Sequence, residues 1–301
     1  MRIIEQDNFK WIDILKPDRE ALDFLRDNFN FHPLILKEAQ QPTLHPMVER
    51  YEDYLYLILH FPDFNHSANR WIQTVEIDFL ITRDALITIR YQDFVDFEEI
   101  FDLARKDKIN FFGQSTGHLF YHLVRGIFAK MHPEIDYFKT EIDELDSQIF
   151  QQFEEKYLER IAWLKRQILN FIRAIKSQKG VWETLPLTAF GFWGRELKPY
   201  FSDLVADYSR LLNVVETNKE VVDSLYLTLS SILDNKQNHV MRLLTIFTAI
   251  ILPLSLFASV YGMNLINLPL AGHHLAFWFF LFGMITVTVL MLIYFRRRKW
   301  F

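Results

Sequence analysis

Two long runs of apolar residues near the carboxy terminus constrain this chain more than anything else in it. Residues 243–261, LLTIFTAIILPLSLFASVY, form a stretch of 19 without a charge, close to the ~20 residues a helix needs to cross the hydrocarbon core of a bilayer. A second run, 274–295, opens on the aromatic cluster AFWFF and closes on YFRRRKWF. A buried hairpin in a soluble core does not need that length, nor the complete exclusion of charge. Two membrane spans are expected.

Charge then sets the orientation. Lys236 and Arg242 precede the first span, Arg296, Arg297, Arg298 and Lys299 follow the second, and the connecting residues 262–273 carry no basic side chain. Basic residues stay on the cytoplasmic side, so both ends are placed there, with 263–273 as an outer loop and 296–301 as a basic tail. Five of the 33 basic residues and none of the 38 acidic ones lie in 241–301, which leaves residues 1–240 with a formal net charge of −10. An acidic domain of this kind gives no reason to expect a nucleic-acid partner. Without cysteine there is no disulfide framework or thiolate metal site, and the opening residues lack the apolar core of a secretory signal. The chain is read as a two-pass protein of the inner (plasma) membrane.

From Tyr200 to Leu252 there is neither Gly nor Pro, and Pro199 suits a first helical turn. Apolar residues recur at heptad spacing through Phe201, Tyr208, Val215, Val222 and Leu229, interleaved with Leu204, Leu211, Leu225 and Ile232. That spacing asks for helical partners. One helix from 199 to 262 would be on the order of 90 Å long at 1.5 Å per residue, a stalk running into the first span. Pro253, inside the span, frees the carbonyl of Ala249, which in lipid must be buried in protein or face water. One face, followed from Asn238 in steps of three or four, carries Met241, Leu244, Thr248, Leu252, Ser255 and Ser259. This stripe reads equally as a pore lining or as a packing face of small residues.

The amino-terminal part has a different texture. Residues 54–61, YLYLILHF, are strand-like, and TVEIDFLIT and ALITIRY flank Arg83-Asp84 as a hairpin of β-branched and aromatic residues. Residues 18–30 and 94–107 read as helices, giving an α/β domain over 1–110. A helical region with an acid-rich stretch between Glu134 and Glu155 follows over 111–198. The fold class is therefore α+β, a cytoplasmic α/β domain joined by a long helix to two spans.

No Gly-rich phosphate loop, zinc-protease motif or nucleophile elbow is present, so the chain is not read as an enzyme and no cofactor is expected. His118 and His122, spaced i and i+4, are a weak metal pair, and His273 and His274 are read as solvated loop residues.

The residues Tyr261-Gly262-Met263-Asn264, ending the first of two carboxy-terminal spans, resemble the signature of the CorA family of divalent-cation transporters. The likeness continues through NHVMRLLTIFTAIILP and YFSDLVADYSRL. The resemblance implies a funnel-shaped homopentamer with the first span around a central pore, Mg²⁺ as both transported and regulatory ion, and no ATP site. It implies a selectivity ring from Gly262 and Asn264 supported by Met263, and pore positions at Asn238, Met241, Leu244, Leu252 and Ser255. It further implies a regulatory metal role for Asp203. Two departures stand out. The loop LINLPLAGHHLAF lacks the acidic residue many relatives place after the motif, and Leu227 stands where some have an acid at the inner entrance. Two other readings compete with Mg²⁺ uptake: a proton-coupled zinc transporter of the same superfamily, and a membrane-anchored cytoplasmic sensor or scaffold.

Overall fold

The computed structural model describes residues 1–6, 9–64, 71–149, 156–263 and 275–298. The chain forms two compact units, Met1–Tyr226 and Leu227–Phe301.

The first unit is organised by strands buried on both faces. β4 (Leu55–Asp63), β5 (Gln73–Ile81) and β6 (Ala85–Arg90) are almost continuously apolar, and their residues are nearly all buried, as expected when helices cover a sheet on both sides. They pair antiparallel, with Leu80 opposite Ile87 and Tyr56 opposite Leu80. β6 continues into β2 (Phe9–Leu15) by parallel pairing, while β1 (Arg2–Gln6) and β3 (Met47–Arg50) close the order β1-β2-β6-β5-β4-β3. The amino-terminal hairpin β1–β2 was not evident in the sequence. Its charges are the reason: Asp13 in β2 is 1% exposed, held by Arg90 at 2.7 Å and Arg2 at 2.6 Å, and both arginines also reach Glu98. A buried carboxylate survives only with such partners.

One face of the sheet packs on α1 (Arg19–Asn28) and α2 (Pro33–Glu38) through Ile12, Ile14, Tyr56, Ile58, Leu80, Ile87 and Ile89. α1 starts where the Asp18 carboxylate accepts from the Ala21 N–H at 2.8 Å, a side-chain cap on an otherwise unpaired donor. The other face packs on α3 (Val95–Lys106), α4 (Lys108–Phe112), α5 (Thr116–Ile149), α6 (Lys156–Lys176) and α7 (Lys179–Trp193). The contacts are largely aromatic: Trp11 edge-on to Phe97 and Phe101, Phe79 to Phe120, Phe61 to Phe128. The change of texture near Lys108 is therefore a change of layer inside one compact unit.

α8 (Lys198–Tyr261) begins in this unit and ends in the second. Its heptad residues Phe201, Leu204, Tyr208, Leu211, Val215, Val222 and Leu225 are all buried, and their partners belong to the same chain. Phe201 stacks on Phe120 and Trp193, Tyr208 stacks on Trp182, and the Tyr208 hydroxyl donates to the Ile175 carbonyl at 2.9 Å. The seam that asked for helical partners is satisfied by α5, α6 and α7. What α8 leaves exposed here is a polar face with Ser202, Ala206, Ser209, Asn213 and Thr217.

In the second unit α8 passes Pro253 without a break, and α9 (Ala276–Arg297) forms the second apolar helix. Both are long and apolar enough to cross a membrane. Phe257 meets Phe280 with ring centroids 6.3 Å apart. Most of their large side chains are uncovered: Phe277, Trp278, Phe279 and Phe282 are all more than half exposed.

Candidate functional site

The stripe on the last seven turns of α8 consists entirely of exposed residues. Met241, Leu244 and Leu252 are 55%, 59% and 62% exposed, and Asn238, Thr248, Ser255 and Ser259 are also exposed. The contrasting side is marked by Ile246, 4% exposed, and by Phe257 against α9. At 3.6 residues per turn Leu244, Thr248 and Ser255 lie nearly opposite Ile246. The Thr248 hydroxyl donates to the Leu244 carbonyl at 2.8 Å, which keeps it within its own helix and lets it accept from a water on the stripe.

α8 ends at the signature. The Gly262 N–H donates to the Ala258 carbonyl at 2.9 Å and the Met263 N–H to Val260 at 3.3 Å, so the helical pattern closes there. A Cβ on Gly262 would lie 3.1 Å from the Ala258 carbonyl oxygen, so a side chain there needs the turn to give by a few tenths of an ångström. Met263 is 51% exposed. Asn264, with His273 and His274, lies outside the described residues.

Asp203 sits on the first turns of α8, exposed, and accepts from the Tyr121 hydroxyl of α5 at 2.8 Å. Arg125, one turn along α5, donates from Nη1 to the same Tyr121 oxygen at 2.8 Å. Burial pushes the Tyr121 hydroxyl above its ordinary value, and donation to Asp203 adds to this against the pull of Arg125. One turn further, Asp207 faces His132 Nε2 at 3.3 Å. Neither tyrosine nor arginine was distinguishable in the sequence from ordinary helix-surface residues.

The i, i+4 histidines each meet other partners. His118 Nδ1 is 2.9 Å from the Ser115 hydroxyl and its ring meets Tyr200 edge-on, while His122 lies against Tyr121 and Phe111. Burial lowers both imidazoles below their usual value. Among the described residues no group of three or more His, Asp or Glu is placed to hold a metal ion.

A second polar cluster lies under the α2–β3 connection. Glu76 accepts from the backbone N–H groups of Thr43 and Leu44, each at 2.8 Å, and from His60 Nε2 at 3.1 Å. Burial alone would raise Glu76; these donors outweigh it and hold the carboxylate below its ordinary value. Asp78 is fully buried beside it and accepts from Tyr56 and Tyr91 through Oδ2 at 3.1 and 2.9 Å. Burial and the neighbouring Glu76 push Asp78 up to about 7.

The family model described as "CorA-like Mg2+ transporter protein" matches residues 6–297. The cobalt/magnesium transport protein CorA of Thermotoga maritima is 24% identical over 291 residues, covering 96% of this chain and 83% of its own length. The solved structure of the CorA magnesium transporter from Methanocaldococcus jannaschii is similar with a TM-score of 0.83 at 24% identity, over 99% of this chain and 93% of that one. The ZntB cytoplasmic domain from Vibrio parahaemolyticus shares the fold with a TM-score of 0.64 at 16% identity, over 76% and 90% of the two chains.

Proposed function

This chain belongs to the CorA-like Mg²⁺ transporter family, whose model spans residues 6–297, and from that premise we propose that it is a pentameric channel for Mg²⁺ uptake. The observation that supports this reading most is the stripe from Asn238 to Ser259. It is exposed in the single chain, roughly opposite the side that meets α9, and it leads to the turn at Gly262. Five copies turned inward would cover these residues and leave α9 toward lipid.

The chemistry follows from the ion. Mg²⁺ gives up its waters reluctantly, so a filter holds the hydrated ion by accepting hydrogen bonds from those waters. Asn264 carboxamides and backbone carbonyls at the Gly262 turn would supply the acceptors, without the tight electrostatic capture of a carboxylate ring. Leu244 and Met241 would form a narrow apolar ring that closes by dewetting. Inward movement of a divalent ion down a membrane potential releases roughly 4.6 kcal/mol per 100 mV, enough to drive uptake without nucleotide hydrolysis. Cytoplasmic Mg²⁺ would close the pore by bridging copies of the acidic domain through Asp203. Among the described residues one chain places no three metal-ligating side chains together, which accords with ligands supplied by more than one copy.

Flux into liposomes carrying the purified protein tests this, comparing Mg²⁺, Co²⁺, Ni²⁺ and Zn²⁺ with and without a pH gradient. Mg²⁺ uptake independent of the pH gradient is expected; Zn²⁺ flux that requires the gradient would favour the proton-coupled zinc reading. Asn264→Ala should abolish Mg²⁺ uptake while still eluting as an intact oligomer, with stability changed by less than about 0.5 kcal/mol. Parental uptake by that variant would remove Asn264 from the filter.

A further inference from the structure

We propose that Arg125, acting through the Tyr121 hydroxyl, is a tethered counter-cation for Asp203 and weakens the hold of this carboxylate on cytoplasmic Mg²⁺. The inference rests on the regulatory reading of Asp203 above and adds the two residues that set its sensitivity.

The geometry is a three-group chain across the α5–α8 seam. Tyr121 is 5% exposed, with its ring packed edge-on to Tyr200, so its hydroxyl has little freedom to turn away. That hydroxyl occupies a lone pair of Asp203 Oδ2 at 2.8 Å while accepting from Arg125 Nη1 at 2.8 Å. A hydroxyl that accepts from a guanidinium becomes a better donor, because hydrogen bonds in a chain polarise one another. Asp203 therefore already feels a permanent positive charge, and Arg125 cannot lose it by deprotonation. An arriving Mg²⁺ finds one lone pair of Oδ2 already taken and must sit in the field of that cation. The pattern repeats one turn on, where Asp207 is faced by His132 from α5 and by Arg210 from its own helix at 3.8 Å. Both acids on this stretch of α8 thus have basic company before any ion arrives.

The test uses full-length protein in detergent for Mg²⁺ binding by titration calorimetry, and in liposomes for inhibition of uptake by Mg²⁺ on the cytoplasmic side. Arg125→Gln and Tyr121→Phe should each bind Mg²⁺ a few-fold more tightly than the parent and be inhibited at correspondingly lower Mg²⁺. The gain should vanish when Asp203→Ala is added to Arg125→Gln. Parental affinity in Arg125→Gln, or tighter binding that persists in the double variant, would overturn the inference. The two levels separate through Asp203→Ala alone. Loss of Mg²⁺ inhibition there together with parental affinity in Arg125→Gln defeats only the tethered cation. Unchanged inhibition in Asp203→Ala defeats the regulatory reading and this inference with it.

Discussion

The two units of this protein solve the burial of apolar side chains in opposite ways. In Met1–Tyr226 the chain covers its own: Trp11, Leu57, Phe79, Phe120 and Trp182 are all 0% exposed. In the second unit Trp278, Phe279 and Phe282 are 64%, 68% and 71% exposed. Apolar area in water is unfavourable by about 25 cal/mol per Å², so the second unit is matched to a different surrounding, such as the lipid around α9 and the neighbouring copies along the α8 stripe that the proposed channel would supply. Substitutions should therefore report which unit they fall in.

The largest expected effect is on the ion network behind the sheet. Arg90→Ala would leave Asp13 buried with Arg2 as its remaining cation and the Thr88 hydroxyl as its other donor, and open a void against Phe97, over whose ring the Arg90 guanidinium sits at 4.1 Å. A loss of about 3 kcal/mol or more is expected, read as a fall in the thermal midpoint of the purified protein. A variant as stable as its parent would mean that the sheet does not depend on this network.

A smaller effect sharpens the same comparison through pH. Asp78 is raised to about 7 in the folded chain, above its ordinary value, so the folded state holds the proton more tightly than the unfolded one. The sign follows: its contribution to stability is complete below the ordinary carboxylate range and is lost as pH rises toward 7, by about 1.4 kcal/mol per pH unit. Asp78→Asn, which keeps the shape and is always neutral, should gain about 3 kcal/mol on its parent between pH 5 and pH 8. Parallel pH–stability curves for the two proteins would show that Asp78 is ionised throughout. The smallest effect is expected on α9, where Phe282→Leu should alter stability by less than about 0.5 kcal/mol; a larger loss would mean that this side chain is covered in the assembled protein.

How much the sequence disclosed follows the same division. The spans were legible because exclusion of charge over so long a run has one physical cause. β4, β5 and β6 were legible because burial on both faces leaves no alternation to disguise them. The β1–β2 hairpin was not, since Arg2, Glu5 and Asp13 look solvated until Arg90, from a distant strand, neutralises Asp13. The heptad on α8 was seen correctly as a buried seam, but spacing carries no information on whose helices fill it, and α5, α6 and α7 do. Pro133 and Pro186 lie inside helices, against the usual reading of proline as a break. In the candidate site, the stripe followed from periodicity and the turn from the Gly262 signature. The Tyr121 and Arg125 partners of Asp203 are 82 and 78 positions away in the chain, a pairing that no local pattern encodes.

The outermost strands of the sheet carry a consequence for assembly. β1 has five residues and β3 four. Lys108 reaches over β1 to the Glu5 carbonyl at 3.1 Å, and α7 packs beside β3. A short border guarded by a charged side chain offers a poor template for another chain to add a strand. Copies brought together as proposed above would therefore touch without their sheets fusing into a continuous ribbon, and their contacts would be left to helix faces.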